Sequence, residues 1–243
     1  MPVKLNLLFL EILGKKAHSY DLKIKIEGKK LIPSKYVKYL GVLIDCHLNW
    51  QDHVMVLRSK LSRAKGMLCK IRYFVNHNTL RMVYYGIFNS ILTYGSQIWG
   101  QHNTVASKIQ IIQNKALRIM NFAPRISSAT PFFKSSAILK LTDNISLQNF
   151  LFAHDSLRNN LPSTLAGQLT LVKTHNNTRN NNYHQLNRIS TNTIIYGTNS
   201  IKSKSVDVWN FINKDYFHLN LHQKSRYSCK KFMTKFLFDR YEP

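Results

Sequence analysis

The longest run of helical periodicity in the chain extends from residue 50 to residue 75. Its apolar positions alternate in steps of four and three residues, which is the spacing of one buried stripe on a helix. These positions are Trp50, Val54, Leu57, Leu61, Ala64, Leu68, Ile71 and Val75. Asn49 or Asp52 can cap the start of this helix. Arg58, Lys65 and Arg72 sit seven residues apart and are expected along one flank of the stripe.

The same periodicity predicts shorter helices further along the chain. The second is expected from a Thr79 cap to about Tyr94. Its predicted inward-facing residues are Leu80, Val83, Tyr84, Ile87, Phe88 and Ile91. A third helix is expected over about Val105–Asn121, with Lys115 and Arg118 off its buried stripe. Further helices are predicted after Pro131 and over Asp143–Arg158, Val206–Ile212 and Ser225–Tyr241.

Strand patterns are confined to the first 45 residues. Residues 3–13 and 21–27 favour strands, the second through alternating apolar and lysine side chains. Tyr36–Asp45 is predicted as a further strand, and its apolar run suits burial on both faces. The chain is therefore predicted to be mainly α. A small N-terminal β-sheet would precede a basic helical bundle and a partly flexible C-terminal region.

Four segments follow from these patterns. They are a β-rich segment 1–50, a helical domain 51–162, a connector 163–204 and a C-terminal helical segment 205–243. Residues 174–204 are rich in Asn, Thr and Ser and poor in core-forming side chains. Because Asn and Ser compete for backbone hydrogen bonds, a flexible or loosely packed basic connector is predicted there.

The charge distribution predicts that the helical bundle also carries a surface for binding a polyanion. The chain carries 35 Lys and Arg against 11 Asp and Glu, for a net charge of +24. From His53 to Thr142 there is no Asp or Glu, but there are thirteen Lys or Arg residues. Such self-repulsion favours a polyanionic partner, and nucleic acid is the leading candidate. An anionic membrane surface and a merely solvated basic face are the weaker alternatives.

The sequence offers no self-contained catalytic site and no metal site. Metal-dependent phosphoryl transfer needs converging carboxylates, yet the closest pair, Asp45 and Asp52, is best explained as a turn residue and a helix cap. His218 and His222 have helical spacing but lack a third ligand nearby. The loose cluster around His53 is likewise interpreted as structural. There is no nucleophile elbow, no phosphate-binding loop and no dinucleotide motif.

Cysteine content and hydropathy predict an intracellular protein without a membrane partner, with nucleus and cytoplasm unresolved. Cys46, Cys69 and Cys229 are odd in number and far apart, which favours a reducing compartment over a disulfide framework. The apolar run Leu5–Leu13 is too short to span a bilayer and lacks a cleavage site.

One stretch is the most specific signature in the chain. Lys38-Tyr39-Leu40-Gly41-Val42-Leu43-Ile44-Asp45, followed by Leu48-Asn49-Trp50, closely resembles the reverse transcriptases of non-LTR (LINE-like) retrotransposons, especially the jockey-like group. The resemblance covers nearly the whole chain through weaker motifs that keep their order and spacing. They include Leu92-x-Tyr94-Gly95, Ile98-Trp99-Gly100, Gln113-Asn114-Lys115-Ala116-Leu117-Arg118, Pro131-Phe132-Phe133-Lys134, Asn160-Leu161-Pro162 and Tyr196-Gly197-x-x-Ser200.

The resemblance implies a palm edge that leads into a thumb. Lys38, Tyr39, Leu40 and Gly41 would lie in a primer-grip element, where Gly41 lets the backbone approach nucleic acid closely. The following helices would grip a template–primer duplex, with phosphates facing these residues: Arg58, Lys65, Arg72, Lys115 and Arg118. RNA or an RNA–DNA duplex is the implied partner, together with the fingers and palm of the same polyprotein.

The family's Tyr-x-Asp-Asp catalytic loop is absent from this sequence. The intact family enzyme would use Mg²⁺, but no cofactor is expected in this chain. The leading interpretation is therefore a C-terminal fragment of an RNA-directed DNA polymerase that binds nucleic acid without polymerising. A stand-alone nucleic-acid-binding module, a helical protein-interaction scaffold and a relic without a selected role remain as alternatives.

Overall fold

A computed structural model describes residues 25–26, 28–30, 34–165, 167–172 and 185–241. This structure is mainly helical, at 63% helix, with small antiparallel sheets near the N-terminus. The predicted fold class is therefore confirmed. The strand predicted over residues 3–13, most of the strand over 21–27 and much of the proposed connector lie outside the described residues. The chain divides into two compact units, Met1–Ser59 and Lys60–Pro243.

Among its described residues, the first unit contains two hairpins and the start of a long helix. Strands β1 (Lys25–Ile26) and β2 (Lys29–Lys30) form a short antiparallel pair. Strands β3 (Tyr36–Tyr39) and β4 (Val42–Asp45) pair in register from Tyr36 with Asp45 to Tyr39 with Val42. Helix α1 (Gln51–Ile71) begins in this unit, and its residues from Lys60 onward belong to the second unit.

The prediction of one strand over Tyr36–Asp45 is wrong, because the chain reverses at Leu40 and Gly41. Both residues have positive φ, 45° and 83°, as a two-residue hairpin turn of the type that matches strand twist requires. Leu40 is consequently 72% exposed rather than buried between two layers. Gly41 adopts this conformation without the steric penalty that Leu40 carries.

Helix α1 buries the predicted stripe but is shorter than the periodicity indicated. Its buried positions are Val54, Leu57, Leu61, Ala64 and Leu68. The helix ends at Ile71, so Val75 lies beyond it. At its start, the Asn49 side-chain oxygen accepts a hydrogen bond from the Gln51 amide at 2.9 Å. Of the two predicted caps, Asn49 is therefore the residue whose side chain contacts the first helical amide.

The second predicted helix contains a wide turn. It comprises α2 (His77–Val83), a π-helical turn (Tyr84–Asn89) and α3 (Ser90–Thr93). Its cap is Asn76, which accepts from the Thr79 amide at 2.8 Å, so the predicted Thr79 cap is wrong. The buried residues recur every four positions, at Leu80, Tyr84, Phe88 and Leu92. Ile87 was expected inside but is exposed, because the wider turn changes the phase of the stripe.

The second unit continues with six more α-helices among the described residues. They are α4 (Ser96–Trp99), α5 (Asn103–Met120), α6 (Thr130–Ser135), α7 (Leu141–Leu157), α8 (Ile201–Tyr216) and α9 (Arg226–Asp239). Helix α7 packs against α8 and α9, and the rings of Phe150 and Trp209 stack at 5.3 Å in their shared core.

Helix α8 begins at Ile201, five residues earlier than Val206, and ends at Tyr216 rather than Ile212. Part of the proposed connector is also packed. Leu186 is 1% exposed, and its backbone N–H and C=O both bond to the side-chain amide of Asn210 at 2.8 and 2.9 Å. Leu186 is therefore a packed point in the connector, and the loose packing expected of the connector as a whole stays a prediction.

Candidate nucleic-acid interface

The tip of the β3–β4 hairpin presents four residues of the most specific motif to solvent. Lys38 and Gly41 are exposed, and Tyr39 and Leu40 are 63% and 72% exposed. The two-residue turn places all four within one reversal of the chain. Apolar side chains at a hairpin tip contribute little to a core, so this tip is available for contact with another molecule.

Asp45 stands at the other end of this hairpin and does not fit a magnesium site. One carboxylate oxygen accepts from the amides of His47 and Asn49 at 3.1 and 3.0 Å. The other accepts from the amide of Trp50 at 2.7 Å. Because both oxygens are engaged with backbone donors in a buried setting, Asp45 organises the loop that leads into α1.

Three of the predicted basic residues come together in the second unit. Lys65 on α1 and Lys115 and Arg118 on α5 line a cavity of about 380 Å³. Arg125, from the loop after α5, lines it too, with Ile119 and Ala123 between the charges. None of the described residues that line the cavity is acidic. Four cations around one concavity raise the local potential and attract phosphate oxygens.

Arg118 holds the edge of this cavity in place. Its Nε donates to the carbonyl oxygen of Ser127 at 2.7 Å, which ties α5 to the following loop. That loop closes on itself, since the Ser127 amide and hydroxyl both donate to the carbonyl of Pro124 at 3.2 and 2.8 Å. Arg125 lies within this closed turn, so the loop presents its charge beside that of Arg118.

Arg72, the last basic residue of the predicted row, makes contacts within the protein. Its Nη1 donates to the carbonyl oxygen of Ile119 at 2.9 Å, and its Nη2 donates to the hydroxyl of Tyr73. The guanidinium carbon lies 4.7 Å from the centroid of the Tyr73 ring and 4.6 Å from that of Phe122. Arg72 therefore links the end of α1 to the end of α5 through protein contacts.

Two basic residues remain to be placed: Arg58, which the sequence predicted as a contact, and Arg125, which it did not. Arg58 is exposed on α1, within the first unit. Arg125 was missed because it lies in a loop, where no periodicity distinguishes one side from another. The only sequence signal that included it was the acid-free run from His53 to Thr142.

Two further findings bear on the chemistry of this surface. Within the residues that the structure describes, no group of three or more His, Cys, Asp or Glu side chains is arranged to hold a metal ion. No helix in the same residues is long and apolar enough to cross a membrane.

Comparison with known proteins finds relatives that match part of the chain. About half of the chain is homologous to RNA-directed DNA polymerases of non-LTR retrotransposons. A probable RNA-directed DNA polymerase from transposon BS of Drosophila melanogaster is 27% identical over 130 residues, or 51% of this chain. A probable RNA-directed DNA polymerase from transposon X-element of the same species is 32% identical over 136 residues, or 53% of this chain.

A third relative is a retrovirus-related Pol polyprotein from a type-1 retrotransposable element, R1 4, of Nasonia vitripennis. It is 30% identical over 98 residues, or 39% of this chain. The matched segments span only 14%, 25% and 15% of the transposon BS, R1 and X-element proteins. No family model matches the chain, and no solved structure is significantly similar to it.

Proposed function

We propose that this chain supplies a template–primer-binding region of a non-LTR retrotransposon reverse transcriptase. RNA or an RNA–DNA duplex lies with its phosphates against the second unit, in the cavity formed by Lys65, Lys115, Arg118 and Arg125. The observation that carries the proposal is the convergence of these four cations from two helices and a loop. The choice of RNA or an RNA–DNA duplex as the ligand rests on the similarity to RNA-directed DNA polymerases.

The cavity suits a phosphate backbone better than it suits a small anion. It is about 380 Å³ in volume, and three of its charges come from positions off the buried stripes of α1 and α5. Lys and Arg side chains that contact phosphates position a duplex without specifying its sequence. Binding of this kind releases condensed counterions and is therefore strongly salt-dependent.

The hairpin tip is proposed as a second contact. Tyr39 and Leu40 are exposed apolar side chains beside Lys38 and Gly41. They would approach the end of a primer strand, as the resemblance of this motif to a primer grip implies. Because Asp45 is engaged by three backbone amides, the chain holds no carboxylate pair at this hairpin for nucleotide transfer. We therefore propose that the chain alone binds but does not polymerise.

Salt-dependent binding is the test of this function. The affinity of the purified chain for an RNA–DNA duplex is measured by fluorescence anisotropy over a range of salt concentrations. Lys65→Gln, Lys115→Gln and Arg125→Gln are each expected to weaken binding and to reduce the slope of log K against log salt by about one. Lys235→Gln removes an exposed lysine from α9 and is the matched control.

A flat salt response, or cavity variants that behave like Lys235→Gln, would contradict the binding proposal. The proposal that the chain does not polymerise is tested by a separate assay. Incorporation of labelled nucleotides opposite a primed RNA template in the presence of Mg²⁺ is expected to stay at background, and template-dependent extension would overturn that half alone.

A further inference from the structure

The turn after α5 holds a phenylalanine in a backbone conformation that favours glycine. Phe122 has φ of 53°. Its amide donates to Ile119 and the next amide, of Ala123, donates to Arg118, at 3.3 and 2.9 Å. This pair of bonds is the Schellman arrangement that ends many helices, and the residue at the Phe122 position is usually glycine. A bulky side chain there is a local strain that points to a role outside folding.

The ring of Phe122 is not buried to compensate for this strain. The side chain is 58% exposed. Its ring and that of Tyr73 form a T-shaped pair, with centroids 5.6 Å apart and planes inclined at 72°. Tyr73 is itself 65% exposed. Two aromatic rings therefore lie together at the surface, and more than half of each residue is accessible.

Arg72 fixes these two rings relative to each other. Its guanidinium lies over both rings and is tied to the Ile119 carbonyl and to the Tyr73 hydroxyl. Because these contacts already hold both rings in place, binding a ligand would cost little further side-chain conformational entropy. Rigid, exposed rings that are held in advance are well suited to stacking with a flat ligand.

The aromatic pair borders the basic cavity. Ile119 and Ala123 line the cavity, and Phe122 lies between them in the chain. The carbonyl that Arg72 contacts also belongs to Ile119. A strand whose phosphates lie among the four cations would therefore bring a neighbouring base to the rings. The charge of the cavity favours a polyanion over an apolar peptide as the occupant.

We propose that Tyr73 and Phe122 form a stacking platform for an unpaired base of RNA or DNA, beside phosphates held in the basic cavity. This inference rests on the proposed nucleic-acid-binding function and specifies its ligand. The base must be unpaired or terminal, because the faces of bases inside a duplex are already stacked on their neighbours. The preferred ligand is thus a duplex with a short single-stranded extension.

The test compares two ligands that differ only in that extension. Affinities are measured for a blunt RNA–DNA duplex and for the same duplex with a short unpaired overhang. The wild-type chain is expected to bind the overhang duplex about tenfold more tightly, which is the scale of one base stacked on an aromatic side chain.

Phe122→Gly is the decisive variant, since glycine suits the left-handed position and leaves the helix end intact. It is expected to abolish the overhang preference while leaving blunt-duplex binding within about twofold, because the phosphate contacts of the cavity remain. Phe122→Trp is expected to retain the preference. Phe211→Ala is the control, because Phe211 is also 58% exposed but lies on α8.

The outcomes separate this inference from the function on which it rests. Equal binding of both ligands by the wild-type chain, with a steep salt dependence, overturns the platform and leaves the nucleic-acid function standing. An overhang preference that survives Phe122→Gly also overturns the platform. Failure to bind either ligand overturns both proposals.

Discussion

The hydroxyl of Tyr241 donates a hydrogen bond to the carboxylate of Asp143 and accepts one from the amide of Lys140 at 2.9 Å. Tyr241 follows α9, whereas Lys140 and Asp143 lie at the start of α7, about a hundred residues earlier in the chain. The Lys140 ammonium also lies 4.7 Å from the centroid of the Tyr241 ring. One side chain thus anchors the C-terminal helix to the beginning of α7.

Tyr241→Phe is expected to destabilise the second unit by about 1–3 kcal/mol. The change leaves the Lys140 amide and the partly buried Asp143 carboxylate without the partner they share, while keeping the ring and its packing. Urea unfolding monitored by circular dichroism measures the effect. Tyr227→Phe, at a residue that is 76% exposed, is the control. Equal stability of the two variants would show that this hydroxyl is not an anchor.

Buried tyrosines are expected to make the protein sensitive to alkali. Burial raises the pKa of Tyr84 above its ordinary value of 10, and burial with the nearby Asp143 carboxylate raises that of Tyr241. A raised pKa in the folded state means that the unfolded chain loses these protons first. The stability from both groups is therefore present below pH 10 and is lost as pH rises through the folded-state pKa values.

The free energy of unfolding is accordingly expected to fall as pH rises above about 10, and to fall less steeply in Tyr84→Phe. Tyr84 also accepts a hydrogen bond from the Gln113 side chain at 3.0 Å, so this variant starts from a lower stability at neutral pH. The comparison is therefore made on slopes. Identical slopes in wild type and variant would exclude Tyr84 as a source of the alkaline loss.

Leu40→Asn is expected to stabilise the β3–β4 hairpin and, in the same variant, to weaken binding of the duplex. Asn tolerates the left-handed conformation, and Asn-Gly is the preferred pair for this turn, so the hairpin gains about 0.5–1 kcal/mol. Amide exchange at Val42, which pairs with Tyr39, is expected to slow. If Leu40 contacts a primer strand, the affinity for an RNA–DNA duplex falls in the same variant. Faster exchange, or tighter duplex binding, would contradict this account.

The regular parts of the fold follow from the sequence, whereas the irregular parts do not. The stripe of α1 is set by spacing alone and is found where it was expected, through Leu68. The hairpin at Leu40 and Gly41 was missed because β-forming residues flank a turn whose first position is Leu, a residue that seldom adopts positive φ. Asn76 was missed as a cap because Thr79 offers an equally good side chain three residues later.

In the candidate interface, too, some features could be predicted from the sequence and others could not. Lys65, Lys115 and Arg118 could be assigned to helix surfaces because they lie off the apolar stripes. That they meet in one cavity depends on how α1 and α5 pack, which no local pattern encodes. Arg72 follows the same spacing as Lys65, yet its partner is the carbonyl of Ile119, 47 residues away. Spacing alone could not distinguish a phosphate contact from an internal tie.

The helical region His77–Thr93 contains a π-helical turn at Tyr84–Asn89, and this turn allows the region to lose one residue. Its buried residues, Leu80, Tyr84, Phe88 and Leu92, are separated by three steps of four. Removal of Gly86, whose surroundings are open, would change those steps to four, three and four, the repeat of an ordinary α-helix. A chain shortened by this residue is expected to fold with the turn regularised. Its urea midpoint would match the wild-type value, and a deletion in the regular helix α5 would lower it.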